Sequence, residues 1–312
     1  MRLSMMITAS LVKELREHTG AGMMECKKAL EEAKGNLETA ITIMRKSGQA
    51  KAAKKVDRVA AEGVILIKIS SDNKRAVMVE INCETDFAAR DRYFLEFASV
   101  VAQKALDAQI AELDKLLTAT LDSGQTVIEM REALVAKIGE NISIRRVKAL
   151  NVSGDGSINS YIHGNGRIGV LVGLSVVNSE LGKDIAMHVA ACKPIALMPE
   201  EFPADLLVKE KEIYLAQLRD SGKPPEILEK IVAGRIQKLV SESVLIKQPF
   251  VKDPDITVEN LLQKFNARVL GFARFEVGEG IEKKETDFAT EVEAQVESRS
   301  LFINSTNLVE KH

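Results

Sequence analysis

The chain contains no tryptophan, and aromatic residues make up only 4% of its 312 residues. A surface that stacks nucleic-acid bases is therefore not expected. Neither sign of charge dominates, with 43 Lys and Arg against 45 Asp and Glu. That argues against nucleic-acid binding through bulk charge. Cys26, Cys83 and Cys192 are the three cysteines. They lie far apart and form no CxxC pair, so neither a disulfide framework nor a zinc site is expected and a reducing compartment fits. No apolar run approaches a membrane span. Met1 to Ile7 holds one Arg and no extended apolar region, unlike a secretory signal. No GxxxxGK[ST] occurs, so nothing announces a phosphate loop. The expectation is a soluble cytoplasmic protein without a cofactor, a direct nucleic-acid partner or a membrane partner. Met5 and Met6 are alternative starts.

What is present is enough apolar material, 46% of the chain, for two or three cores. Residues 7–48 read as three short helices broken at Thr19 to Gly22 and at Gly35-Asn36. Leu11, Val12 and Leu15 line the first, Cys26, Ala29 and Leu30 the second, and Leu37, Ala40, Ile41 and Met44 the third. Residues 49–62 are basic and alanine-rich and read as a linker with helical tendency. Gly63 to Ile69 and Arg75 to Asn82 form a hairpin about a polar turn. A helix follows with Phe87, Phe94, Phe97, Val101 and Ala105. A second hairpin, Ile158 to His163 and Arg167 to Val177, is again followed by a helix, Leu181 to Ala191. Strands at Ile142 to Leu150 and Val269 to Val277 give each half a further strand.

The predicted fold class is α+β: a three-helix N-terminal module and two related subdomains of antiparallel sheet with helices on one face. The expected boundaries are 63–140 for the first subdomain and 141–198 with 243–280 for the second. Residues 199–242 are an inserted helical-hairpin arm of coiled-coil type, in which Leu206, Ile213 and Leu218 face Ile227, Ile231, Val232, Ile236 and Leu239. Residues 281–312 hold a C-terminal helix, from Glu285 to Glu297, and a tail. Within that helix Glu285 to Ala289 repeats Glu84 to Ala88 letter for letter.

Several constellations have a chemical reading beside a structural one. Gly164 to Gly169 matches GxGxxG. A dinucleotide loop needs a helix after it, and a β-rich run follows here, so a hairpin turn is expected. Glu80, Glu84 and Asp86 could pair as acids or hold magnesium. Acidic residues at a helix start are the simpler reading. The four histidines have no metal-ligand spacing. Met24 falls opposite the Cys26 and Leu30 stripe, beside Lys27 and Lys28, as a solvent-facing side chain or a partner contact. Phe87 stands seven residues before Phe94. Helical counting puts it near the buried face and favours a core residue. Counting leaves open whether a first-turn Phe tucks in or protrudes past the sheet.

Six stretches resemble one known family in family order. They are Ile7-Thr-Ala-Ser-Leu-Val-Lys-Glu-Leu-Arg16, Thr19-Gly-Ala-Gly-Met-Met24, Cys26-Lys-Lys-Ala-Leu30, Thr85-Asp-Phe87, Lys137-Ile-Gly-Glu-Asn141 with Ile144-Arg-Arg-Val147, and Phe275-Glu-Val-Gly-Glu-Gly-Ile-Glu282. The family is bacterial elongation factor Ts, the guanine-nucleotide exchange factors of elongation factor Tu. The resemblance implies an N-terminal module of ubiquitin-associated type, a two-part core, a coiled-coil arm and no enzymatic reaction. Its partner would be elongation factor Tu, GDP-bound and nucleotide-free, with the arm a candidate for a dimer contact. By that likeness Thr85, Asp86, Phe87 and Ala88 form a segment that dislodges Mg²⁺ from the partner. Arg16, Met23, Met24 and Lys27 match positions that hold its nucleotide domain. His163 matches a residue facing another of its domains, and Phe288 lies in the C-terminal contact helix. Ala88 stands where Val is often found. Two readings of other classes remain beside it: a nucleotide-dependent metabolic enzyme using the Gly164 to Gly169 turn, and a protein-binding scaffold without exchange activity.

Overall fold

The computed structural model describes residues 7–19, 21–218 and 224–282. The N-terminal helices are α1 (Ala9–Thr19), α2 (Met23–Glu32) and α3 (Leu37–Ala53). Val12, Leu15, Cys26, Leu30 and Ala40 form their core. Asn36 caps α3 by accepting from the Thr39 amide at 2.8 Å, the contact that stops a helix end from fraying. The third helix was expected to end within residues 7–48. It runs on to Ala53 instead, and Ala52 is buried in the core of the first half. Alanine-rich sequence carries a helix well, and the packing supplies the reason to continue.

Two strands follow, β1 (Glu62–Ile69) and β2 (Arg75–Cys83), paired antiparallel. Their turn is tied by Asp72, which accepts from the Lys74 amide at 3.0 Å and the Ser70 hydroxyl at 2.5 Å. Then come α4 (Asp86–Ala89), α5 (Arg92–Asp107), α6 (Leu113–Thr118), α7 (Val127–Ile138) and β3 (Ser143–Asn151). The α3 helix packs along α7. β3 pairs with β2, so the first sheet has the order β1-β2-β3. The strand expected to open the second subdomain at 141 thus closes the first, and the two sheets divide after Asn151.

The second half contains β4 (Ser157–His163), β5 (Ile168–Leu174), α8 (Ser179–Cys192), α9 (Ala204–Leu218), α10 (Pro225–Ser243), β6 (Pro249–Phe250), β7 (Asp253–Thr257), α11 (Val258–Lys264) and β8 (Val269–Glu276). Its sheet has the order β4-β5-β8, antiparallel throughout. Both halves therefore set a hairpin beside a third strand, with the second strand at the centre.

Alternation along β2 explains how the halves assemble. Val77, Val79 and Ile81 enter a core with Phe94, Phe97 and Val101 of α5. Ala76 and Met78 point the other way and pack with Ile65 of β1 against Leu171 of β5 and Ala273 and Phe275 of β8. The two sheets thus lie face to face, with helices outside: α5 covers the first, and Leu181, Ile185 and Val189 of α8 cover the second. At Gly169 a Cβ would come within 2.5 Å of the Ile65 side chain, so the sheets approach too closely there for any side chain.

Glu80 is fully buried between the sheets. Arg145 donates to it at 3.0 Å, Arg146 at 2.5 Å and the Gly278 amide at 2.9 Å. Burial alone would raise its carboxyl. These donors outweigh that and hold it below the usual carboxylate value.

In the arm, α9 and α10 pack together, and Arg235 reaches Gln217 at 3.1 Å. Leu218 and Val232 are buried, whereas Ile213 and Ile227, both expected in the seam, are exposed. At the root, Leu206, Leu239 and Val240 join the core of the second half. The small β6-β7 pair and α11 had no counterpart in the sequence reading. The C-terminal helix expected from Glu285 to Glu297, with Phe288, falls outside the described residues.

Candidate functional site

The Thr85 turn is built from the end of β2. Thr85 is extended, with φ −122° and ψ 157°, and its hydroxyl accepts from the Ala88 amide at 3.2 Å. That contact caps the four-residue α4. A second segment braces the turn from outside. Glu140, two residues beyond α7, accepts from the Glu84 amide at 3.1 Å, the Thr85 amide at 3.0 Å and the Thr85 hydroxyl at 2.6 Å. Glu84 answers by accepting from the Asn141 amide at 2.6 Å. Asn141 is buried, and its side chain donates to the Val56 and Arg58 carbonyls at 3.2 and 2.8 Å. Lys55 donates to the Gly139 carbonyl. One knot therefore ties together the end of β2, the segment after α7 and the chain leading out of α3.

Ala88 and Ala89 are buried in the first-half core, and Thr85 is half-buried. Phe87 points out and is 81% exposed. Asp86 pairs with Arg90 at 2.9 Å. The segment thus divides: Thr85 and Ala88 are its footing, and Asp86 and Phe87 are its outer face. Helical counting from Phe94 had favoured a buried Phe87, and the reason it fails is local. The helix stops at Arg90, and Asp91 opens a new one by accepting from the Tyr93 and Phe94 amides at 2.8 and 3.3 Å. The seven-residue interval crosses a break, so the 3.6-residue period does not run through it.

Cys83 sits beneath the turn and donates its thiol hydrogen to the Thr85 carbonyl at 3.2 Å. Burial, with the Glu140 and Glu62 carboxylates nearby, pushes this thiol up to about 12. It stays protonated and serves as a donor, not a nucleophile.

Arg16 on α1 is exposed. On α2, Met23 is 60% and Met24 74% exposed, and Lys27 lies 4.0 Å from Glu31. His163 is exposed at the end of β4, stacked on Tyr161 with its Nδ1 3.2 Å from the Tyr161 hydroxyl. After it, Gly164, Asn165 and Gly166 all have positive φ and turn the chain straight into β5. A strand, not a helix, follows that loop, so the pyrophosphate reading of Gly164 to Gly169 is set aside. His188 is buried against Gln248 at 2.9 Å. Glu80 is committed to its two arginines. Among the described residues no His, Cys, Asp and Glu side chains gather as a metal site, and no helix is long and apolar enough to cross a membrane.

The residues that brace the turn, Glu140 and Asn141, were not legible as such. They stand 55 and 56 positions beyond Thr85, and the only signal was the Lys137 to Asn141 motif, which carries no role on its face.

The turn thus sets one exposed aromatic ring beside buried Ala88 and Ala89 and is tied by hydrogen bonds from a distant segment, an arrangement that suits contact with another protein. Comparison makes the class specific. Residues 84–279 match the family model described as elongation factor TS. The chain is 54% identical over 291 residues to the elongation factor Ts of Thioalkalivibrio sulfidiphilus, covering 93% of this chain and 99% of that protein. It is 56% identical over 292 residues to that of Methylococcus capsulatus, covering 94% and 99%. With the factor of Alcanivorax borkumensis it shares 56% over 284 residues, covering 91% and 99%. The chain belongs to the elongation factor Ts family of translation factors.

Proposed function

We propose that the chain is a guanine-nucleotide exchange factor for elongation factor Tu in the cytoplasm, and that Phe87 is the wedge by which it works. Family membership supports the partner. The observation that carries the mechanism is the exposure of Phe87 beside buried Ala88 and Ala89. Phe87 enters the partner's nucleotide domain beside its magnesium site, with Asp86 next to it. Loss of Mg²⁺ takes away the main charge that neutralises the GDP phosphates, and GDP leaves faster. The factor binds the nucleotide-free partner better than the GDP-bound one, since a ligand without that difference shifts nothing. Arg16, Met23, Met24 and Lys27 hold the nucleotide domain. His163 meets a further domain, and the segment that contains Phe288 adds a C-terminal contact. The arm, whose outer residues Ile213 and Ile227 are exposed, is the candidate surface for a second copy.

Release of a fluorescent GDP from elongation factor Tu tests the reading. Wild-type protein accelerates it and Phe87→Ala does so far less, with the fold unchanged by circular dichroism. Full acceleration by Phe87→Ala would remove the wedge. Met24→Ala raises the dissociation constant of the complex a few-fold, and an unchanged constant would return Met24 to a plain solvent-facing residue.

A further inference from the structure

We propose that Glu140 is the positioning residue of the Phe87 turn, and that it sets how fast the bound factor drives nucleotide release rather than how tightly the two proteins associate. This rests on the wedge reading above and goes beyond it by naming what makes the wedge stiff.

A side chain that is to displace something in another protein must not yield. α4 has four residues, Asp86–Ala89, too few to hold a direction through its own hydrogen bonds. The amides of Glu84 and Thr85 lie just ahead of it, where the backbone has no helical partner to offer. One carboxylate takes both of them, and the Thr85 hydroxyl as well. Such charge-assisted bonds are the strong class of hydrogen bond. They fix the two residues immediately before Asp86 and Phe87.

Glu140 is itself held firmly. The residue before it, Gly139, ends α7 with φ 90° and donates to the Val135 carbonyl at 3.0 Å. The residue after it, Asn141, is buried and bonded to Glu84, Val56 and Arg58. The brace therefore transmits the rigidity of α7 and the first sheet to a turn that has little of its own. Association draws on contacts spread over the whole surface, whereas displacement depends on the geometry of one ring. Loosening the turn lowers the population of productive geometries after binding, and small misplacements of an acting group carry large rate penalties.

The test measures GDP release from elongation factor Tu over a range of factor concentrations, for wild type, Glu140→Gln, Glu140→Ala, Phe87→Ala and the Phe87→Ala/Glu140→Ala double variant. Glu140→Ala is expected to lower the maximal release rate about thirtyfold, with the half-maximal concentration within about twofold of wild type. Glu140→Gln keeps the shape and one acceptor, and is expected to lose about threefold. The double variant should match Phe87→Ala alone, because a brace has nothing to do once the ring is gone. Amide hydrogen exchange should quicken at Glu84 and Thr85 in Glu140→Ala and stay unchanged in α5. If Glu140→Ala reduces protection throughout the protein, Glu140→Gln decides the matter.

A wild-type maximal rate in the folded Glu140 variants, with Phe87→Ala impaired, would overturn the positioning role and leave the wedge. Additive losses in the double variant would overturn it too, by making Glu140 a contact in its own right. A fully active Phe87→Ala would remove the wedge, and the positioning role with it.

Discussion

The two halves of the core make the same passage, from the central strand of a three-stranded sheet into a covering helix, and they make it in different ways. In the second half β5 ends at Leu174, and α8 begins at Ser179 under an Asn178 cap that accepts from the Leu181 amide at 3.0 Å. In the first, the short α4 is interposed before α5, and each helix has its own cap. Both junctions leave one apolar side chain in solvent, Val177 at 74% and Phe87 at 81%. Exposure alone therefore does not mark a site. What differs is the support. The Val177 junction is laced to its own sheet, through Ser175 and Arg268 at 2.9 Å in both directions and through Ser157 to the Val176 carbonyl at 2.9 Å. The Phe87 junction is held from outside, by a carboxylate on another segment, and presents an aromatic ring where the other presents a small aliphatic group.

The largest expected effect concerns what joins the halves. Glu80→Ala strips a buried carboxylate from two guanidiniums and an amide, and is expected to lower unfolding stability by about 3 kcal/mol. That is the low end for a broken buried pair, since the arginines keep some access to solvent. Urea denaturation reads it. A loss under about 1 kcal/mol would mean that apolar contact alone holds the sheets together.

Next in size is the contrast between the exposed residues themselves. Phe87→Ala is expected to slow assisted GDP release about a hundredfold, or about 2.7 kcal/mol, with melting temperature unchanged.

Asp91→Ala removes the cap that separates α4 from α5 and is expected to lose about 1 kcal/mol of stability. It should also slow exchange, since the break is what turns Phe87 outward. An unimpaired exchange rate would show that the Glu140 brace suffices without the break.

A smaller effect depends on pH. Hydrogen bonds from Lys193 and Arg274 hold Glu276 at about 2, below its ordinary 4.5. A carboxyl lowered on folding stabilises the protein above its unfolded value, and loses that contribution as pH falls through its folded one. The melting-temperature difference between wild type and Glu276→Gln should therefore be present at pH 7 and shrink from about pH 4.5 to vanish near pH 2. A constant difference would assign the effect to packing.

Smallest of all, Val177→Ala should leave exchange within about twofold and stability within about 0.5 kcal/mol. A strong exchange defect there would erase the distinction between the two junctions.

Much of this molecule could be read from residues in order. The alternation of Val77, Val79 and Ile81 and the stripe of Phe94, Phe97 and Val101 report local geometry, because period 2 and period 3.6 are properties of the backbone. The hairpin at Gly164 to Gly166 was legible for the same reason: a β-rich run follows it. The β6-β7 pair was not legible, since strands of two and five residues, with Pro249 and Pro254 among them, carry no alternation to count. The course of α3 past residue 48 was hidden because its packing surface lies on α7, some eighty residues away.

Phe87 shows where that boundary lies. The sequence around it established a strand, an acidic turn and a helix start, and likeness to a family suggested a use for the turn. Whether the ring faced in or out was settled by the helix break at Arg90, while the turn before it is tied by the Glu140 carboxylate, 53 residues further along the chain. A helix break and hydrogen bonds to a distant partner leave no period behind them, so the direction of the ring and the bracing of its turn, on which the proposed function depends, came only with the tertiary structure.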